Sequence, residues 1–165
     1  MKTKSMVTGA LLTALSLVIP IAFGGYLRIY IPPFSATLAS HVPSMLAMLI
    51  NPLVAVTVGV GSTIGFLIIL GPVVAARAFI HTVFGLAGAI LIKKGLSFEK
   101  AIILTAPIHA LGEAVMVMLF GFDLYTALVV VGVGTFIHHF ADGLISVFAA
   151  RTVLSGAIKF VKSSG

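Results

Sequence analysis

The sequence predicts an all-α membrane protein: a single domain, residues 1–165, folded as a bundle of six transmembrane helices with both termini cytoplasmic. Three observations predict it. Of the 165 residues, 60% are hydrophobic and 8% are charged, whereas soluble domains carry about 25% charged residues. Apolar stretches recur along the whole chain, most of them long enough to cross a hydrocarbon layer roughly 30 Å thick. The basic residues gather between alternate stretches, as expected when Lys and Arg collect in cytoplasmic loops. That distribution also excludes a nucleic-acid binder, because the net charge of +6 forms no single basic face. Cysteine is absent, which excludes disulfides and thiolate chemistry.

The first helix is expected at 6–23, behind Lys2 and Lys4. Its apolar run is long for a signal peptide and no small-x-small cleavage site follows, so a retained span is expected. The loop 24–35 holds Gly24-Gly25, Tyr26, Arg28, Tyr30 and a Pro32-Pro33 pair that prevents helix continuation. A second helix is expected at 36–50, with Pro43 inside it. It would rise only about 22 Å, so it would need loop residues or local thinning to reach across. Asn51-Pro52 then reads as an N-cap followed by a first-turn proline.

The third helix is expected at 53–70, closed by Gly71-Pro72, and the fourth at 73–92, closed by Lys93-Lys94-Gly95. The fifth is expected at 101–120 with Pro107 inside, and the sixth at 126–150, ended by Arg151. With six crossings and the termini inside, Lys2, Lys4, Lys93, Lys94, Lys100, Arg151, Lys159 and Lys162 fall on the cytoplasmic side. Only Arg28 falls outside, which fixes the expected orientation.

Ionisable residues inside spans are costly and call for a reason. Here they are His41, then Arg77 and His81, then His109 and Glu113, then His138, His139 and Asp142. Arg77 with His81, His109 with Glu113 and His138 with Asp142 are spaced i, i+4, which stacks each pair on one helix face. Counting the rise from the helix ends places most of these groups in the outer half of the bundle. Three inward stripes below the Arg28 loop describe a substrate pocket opening outward, although the same pairs could simply tie helices together. The expected binding residues are His41, Arg77, His81, His109, Glu113 and His138. His139 points about 100° away from His138 on a helix and is expected to be a packing or interface residue.

The five histidines and two intramembrane carboxylates would be enough ligands for zinc, nickel or cobalt. The permanent charge of Arg77 opposes a cation, and neither a metal nor any other cofactor is expected. A cation- or proton-coupled carrier using the same groups is the alternative reading. No GxSxG, HExxH or P-loop motif appears, so neither an enzyme nor an ATPase is expected.

Small residues mark two helices. Thr57, Gly61 and Gly65 recur every four residues on the third, where internal packing is the plain explanation. Ala10 and Ala14 form an uncharged stripe on the first, free to serve the bundle or an outside partner. Six helices, the Ala10-x-x-x-Ala14 stripe and an outward polar pocket together resemble a substrate-binding S component of an energy-coupling factor transporter. The segment Phe34-Ser-Ala-Thr-Leu-Ala-Ser-His-Val-Pro43, with Asn51-Pro52 and the glycine-rich third helix, is most similar to the vitamin-specific members.

The resemblance implies a vitamin-binding subunit without its own ATPase in a prokaryotic plasma membrane. Its partners would be a transmembrane coupling subunit, met through Ala10 and Ala14, and two cytoplasmic ABC ATPases. The loop after the first helix would be the lid, with Tyr26, Arg28 and Tyr30 over an aromatic ligand. Pyridoxine or hydroxymethylpyrimidine is the implied type of substrate, with niacin and pantothenate as rivals. The nickel and cobalt members use a histidine beside the initiator methionine, where this chain has Lys2.

Overall fold

The structure, a computed structural model, describes residues 3–163, with side-chain surroundings as far as residue 152. Helix α1 spans Thr3–Phe23 and leads into a β-hairpin of β1 (Arg28–Ile31) and β2 (Phe34–Thr37). The strands pair antiparallel, Arg28 opposite Thr37 and Ile31 opposite Phe34, around a cis Pro32-Pro33 turn. The short helix α2 is Val42–Met48, followed by α3 (Pro52–Leu70), α4 (Pro72–Lys93) and α5 (Phe98–Leu119). A π-helical segment, Thr126–Val133, opens the last helix, and α6 continues it as Gly134–Ser163.

Among the described residues five helices are long and apolar enough to cross a bilayer: α1, α3, α4, α5 and the joined π segment and α6. The second expected helix, 36–50, is corrected. Its first residues belong to β2, a turn follows, and only Val42–Met48 is helical. Pro43 explains part of this, because a proline lacks the donor an upstream helical turn would need and sits instead in the first turn of α2. Likewise the loop 24–35 is largely a strand pair rather than irregular chain.

The helix starts follow their local chemistry. Asn51 accepts a hydrogen bond from Val54 N at 2.9 Å and caps α3, with Pro52 in its first turn. Asp123 accepts from the Thr126 hydroxyl at 2.6 Å and from Thr126 N at 3.0 Å. Those two donors hold the Asp123 carboxyl below its ordinary pKa.

Glycine contacts give the direction of each helix. Gly9 lies against Val54, Thr13 against Gly61 and Leu17 against Gly65, so α1 and α3 run parallel. Gly59 lies against Thr82 and Ala55 against Gly85, so α4 runs antiparallel to α3. A Cβ on Gly59 would stand 2.5 Å from Thr82 Cα, which shows how closely these two backbones pack. Ile80 against Gly112 and Ile102 against Gly143 continue the alternation through α5 and α6. Because α1 and α3 are parallel, the chain between them must return across the bundle. The residues after β2, with α2, make that return, and both ends of the described chain reach the same face.

Burial is inverted relative to a soluble globule. His109, His139 and Asp142 are fully enclosed, while Ile68, Leu119, Leu144 and Phe148 are among the most exposed side chains. An apolar solvent is the condition under which that arrangement is stable. The chain is a multi-pass membrane protein.

Candidate functional site

The site lies where α1 and α3 end, α4 begins and the hairpin folds over the bundle. Pro20 of α1, Phe66 and Leu70 of α3 and Val74 of α4 supply its apolar wall. Arg28, Ser35, Thr37, Ser40 and His41 border it from the hairpin and the turn that follows, and Arg77, His81 and Glu113 form its polar floor.

Arg77 and Glu113 are the centre of this floor, both buried. The guanidinium donates from Nε and Nη2 to one carboxylate oxygen, Glu113 Oε2, at 2.9 and 2.7 Å. Its remaining donors reach the hairpin: Nη1 to Pro33 O at 3.0 Å and Nη2 to Ser35 O at 3.3 Å. Phe34 places its ring 5.5 Å below the guanidinium carbon. Arg77 therefore latches the hairpin to the bundle through main-chain carbonyls. Thr135 of α6 adds a hydrogen bond from its hydroxyl to the same Oε2 at 2.6 Å.

Glu113 Oε1 faces the histidines instead, with His109 Nε2 at 3.3 Å and His81 Nε2 at 3.9 Å. The i, i+4 expectation for His109 and Glu113 is met in space. Arg77 and His81 do share a face, but each meets Glu113 rather than the other. The His41 ring stands 4.6 Å from both His81 and His109, centroid to centroid.

Asp142 organises the turn that delivers His41. Its carboxylate accepts Ala39 N at 2.7 Å and His41 N at 2.9 Å. Ala39 has φ +70°, a left-handed conformation that costs an L-residue roughly 1–2 kcal/mol. The two amide bonds to a buried carboxylate hold it there. His138 Nε2 lies 3.1 Å from both Asp142 Oδ2 and Thr37 O. His41 Nδ1 is also 3.1 Å from Asp142 Oδ2, but its N–H is not aligned on that oxygen, so the contact is electrostatic.

Of the expected binding residues, His41, Arg77, His81 and Glu113 border the pocket, whereas His109 and His138 stand behind it. The tyrosines of the expected lid stand outside this lining. Tyr26 is 90% and Tyr30 61% exposed, and neither lines the pocket. They belong to the connection before β1 and to β1 itself, the outer strand, while β2 presents Phe34, Ala36 and Thr37 to the bundle. Tyr30 carries Arg28 on its ring at 4.9 Å.

Two contributors lie beyond the expected binding residues: Thr135, and Asp142 in its role at the turn. His139 is buried, as a packing residue would be, but it also bonds His109 Nδ1 to Nδ1 at 2.9 Å and reaches Ile102 O through Nε2 at 3.0 Å. The available signal was the His138-His139 doublet, which serves two different helix faces.

Gly61 and Gly65 meet α1, as small-residue packing predicts, while Thr57 is exposed. Ala10 and Ala14 are both exposed on the far side of α1 from its buried Gly9, Leu12 and Ser16.

The niacin transporter NiaX of Lactococcus lactis subsp. cremoris is 38% identical to this chain over 94 residues, 56% of the chain. The match spans 41% of that relative's own length. It bears out the resemblance to vitamin transporters drawn from the sequence. No protein-family model and no solved structure matches the chain.

Proposed function

We propose that the chain is the membrane-embedded substrate-binding S component of an ATP-driven energy-coupling factor vitamin importer, with its termini in the cytoplasm. Its substrate would be a small aromatic carboxylate of the niacin type. One observation carries the substrate class: Arg77 is a buried cation on the pocket floor, where two of its bonds go to hairpin carbonyls. A ligand carboxylate is a stronger acceptor than a carbonyl and can take both donors at once. The relationship to a niacin transporter supports the same choice over pyridoxine or hydroxymethylpyrimidine.

Arg77, His41 and His81 would contact the ligand, with Glu113 fixing Arg77. His109 and His138 would hold that floor from behind. The hairpin would act as the lid through β2 and Arg28, with Tyr26 and Tyr30 on its outer surface.

Calorimetric titration of the purified chain tests this. Niacin is expected to bind, and its uncharged amide to bind at least tenfold more weakly, on the order of 1.4 kcal/mol. Amide hydrogen exchange across residues 24–37 should slow with niacin bound. Equal affinity for acid and amide would remove the carboxylate reading, and unchanged exchange would remove the lid.

Ala10 and Ala14 would be the docking stripe for the coupling subunit, which holds two ABC ATPases on its inner side. Replacing both by Leu should leave ligand affinity of the isolated chain nearly intact, because the pocket lies on other faces. Co-purification with the coupling subunit and ATPases, and with it ATP-driven uptake, should be lost, since bulky residues hold a partner backbone away. A double variant with full uptake would sink the docking assignment. A cation- or proton-coupled carrier would work without co-purifying ATPases.

A further inference from the structure

We propose that His41, His81, His109 and Glu113 form a binding site for one divalent transition-metal ion at the base of the pocket. One ligand atom from each residue lies within 4.8 Å of all the others, and all four side chains are buried. In a four-coordinate shell with bonds of about 2.0–2.2 Å, neighbouring ligand atoms stand about 3.3–3.5 Å apart. His109 Nε2 and Glu113 Oε1 already do so at 3.3 Å, and His81 Nε2 is 3.9 Å from the same oxygen. The three imidazole planes are nearly perpendicular, at 83°, 86° and 82° to one another, so no ring of the cluster stacks on another.

The hydrogen bonds around the cluster imply a positive centre. A carbonyl only accepts, so His139 Nε2–H donates to Ile102 O. With both rings neutral, His139 Nδ1 is then an acceptor and His109 Nδ1–H donates to it. His109 is left with an unprotonated Nε2 turned toward the carboxylate oxygen 3.3 Å away. Two lone pairs at that separation in an apolar bundle repel unless a cation lies between them. A proton would serve that one pair, whereas two more imidazoles converge on the same point. Three imidazoles and a carboxylate suit zinc, cobalt or nickel.

The surrounding groups also match a metal site, where the outer atoms of each ligand are normally fixed by a second partner. Glu113 Oε2 is held by Arg77 and Thr135 and His109 Nδ1 by His139, while His41 Nδ1 has only the electrostatic contact with Asp142. The positive charge of Arg77 is met on the other side of the carboxylate. The guanidinium bonds Oε2 and the hairpin, leaving Oε1 to the histidines. The neighbouring group of His41, His138 and Asp142 is a poorer site, because that carboxylate already accepts two amides.

The site rests on this geometry and not on the vitamin reading. One consequence does rest on that reading: an ion and Arg77 together exceed Glu113 and Asp142 by one positive charge, which a monocarboxylate ligand would balance.

The test is run without vitamin, so that its failure is separate from failure of the proposed function. Chelator-treated chain in detergent is titrated with Co2+, followed by visible absorption and by elemental analysis. One Co2+ per chain is expected, with the intense bands of a four-coordinate ion and displacement by Zn2+. His81→Gln should abolish the bands, and His139→Phe should weaken Co2+ binding about 10–100-fold by releasing His109. The wild-type chain decides by itself if a variant fails to fold: no stoichiometric uptake of Co2+ or Zn2+ overturns the site. Uptake that survives His81→Gln in a folded chain places the ion elsewhere and overturns it too.

Discussion

Replacing Glu113 by Ala is expected to destabilise the chain by about 3–5 kcal/mol, the cost of leaving a buried charge without its partner. Arg77 would keep only the Pro33 and Ser35 carbonyls, and neither carries a full charge. The Thr135 hydroxyl would lose its acceptor in the same step. Desolvation explains why the double replacement should be milder than Glu113→Ala alone. With Met at both positions, no charge is left in the apolar interior, and a buried ion pair often contributes little net stability over packed side chains. Thermal unfolding in detergent of both single variants and the double variant checks this. Additive losses would show that the pair does not act as a unit.

Asp142→Ala is the second large effect, expected near 3 kcal/mol. One buried and one half-buried amide lose their acceptor, at about 1–3 kcal/mol for a group left unpaired in the interior. His138 loses its charged partner as well. Ala39 at φ +70° would then have no compensating bond, and the turn carrying His41 should relax away from the pocket. Ligand affinity should fall together with stability. Adding Ala39→Gly to Asp142→Ala should recover part of the stability, because glycine adopts that conformation without a Cβ clash. Thermal unfolding and ligand titration on the same three chains separate these effects. Failure of Ala39→Gly to recover anything would mean that the turn is not strained.

Most of the bundle was legible because membrane helices announce themselves through apolar length, and α1, α3, α4, α5 and the last helix all do so. The second helix differs because 36–50 has the composition of a span, while only its first two residues pair in the hairpin, a turn follows, and Val42–Met48 alone is helical. Apolar content reports the surroundings of a segment, not its hydrogen bonding. The i, i+4 spacing gave Glu113 with His109 and Asp142 with His138, since helix geometry is local. The bonds from Asp142 to the turn before α2, and from Arg77 to the hairpin, join residues far apart in sequence. Thr135 is equally invisible in sequence, because a threonine in a span usually bonds its own helix.

The return across the bundle between α1 and α3 bears on how such a chain is assembled. Insertion machinery that responds to apolar helices meets five strong segments, and an odd count leaves the two ends on opposite sides of the membrane. In the folded chain both described ends reach the same face of the bundle. The segment that leads back, the turn after β2 and the seven residues of α2, is too short a helix to enter lipid by itself. Its unpaired backbone groups need Asp142 and the neighbouring helices around them first. Ala39 N and His41 N find their acceptor in Asp142 of α6, so the backbone of this segment is fully satisfied only in the company of a helix that follows it by about a hundred residues.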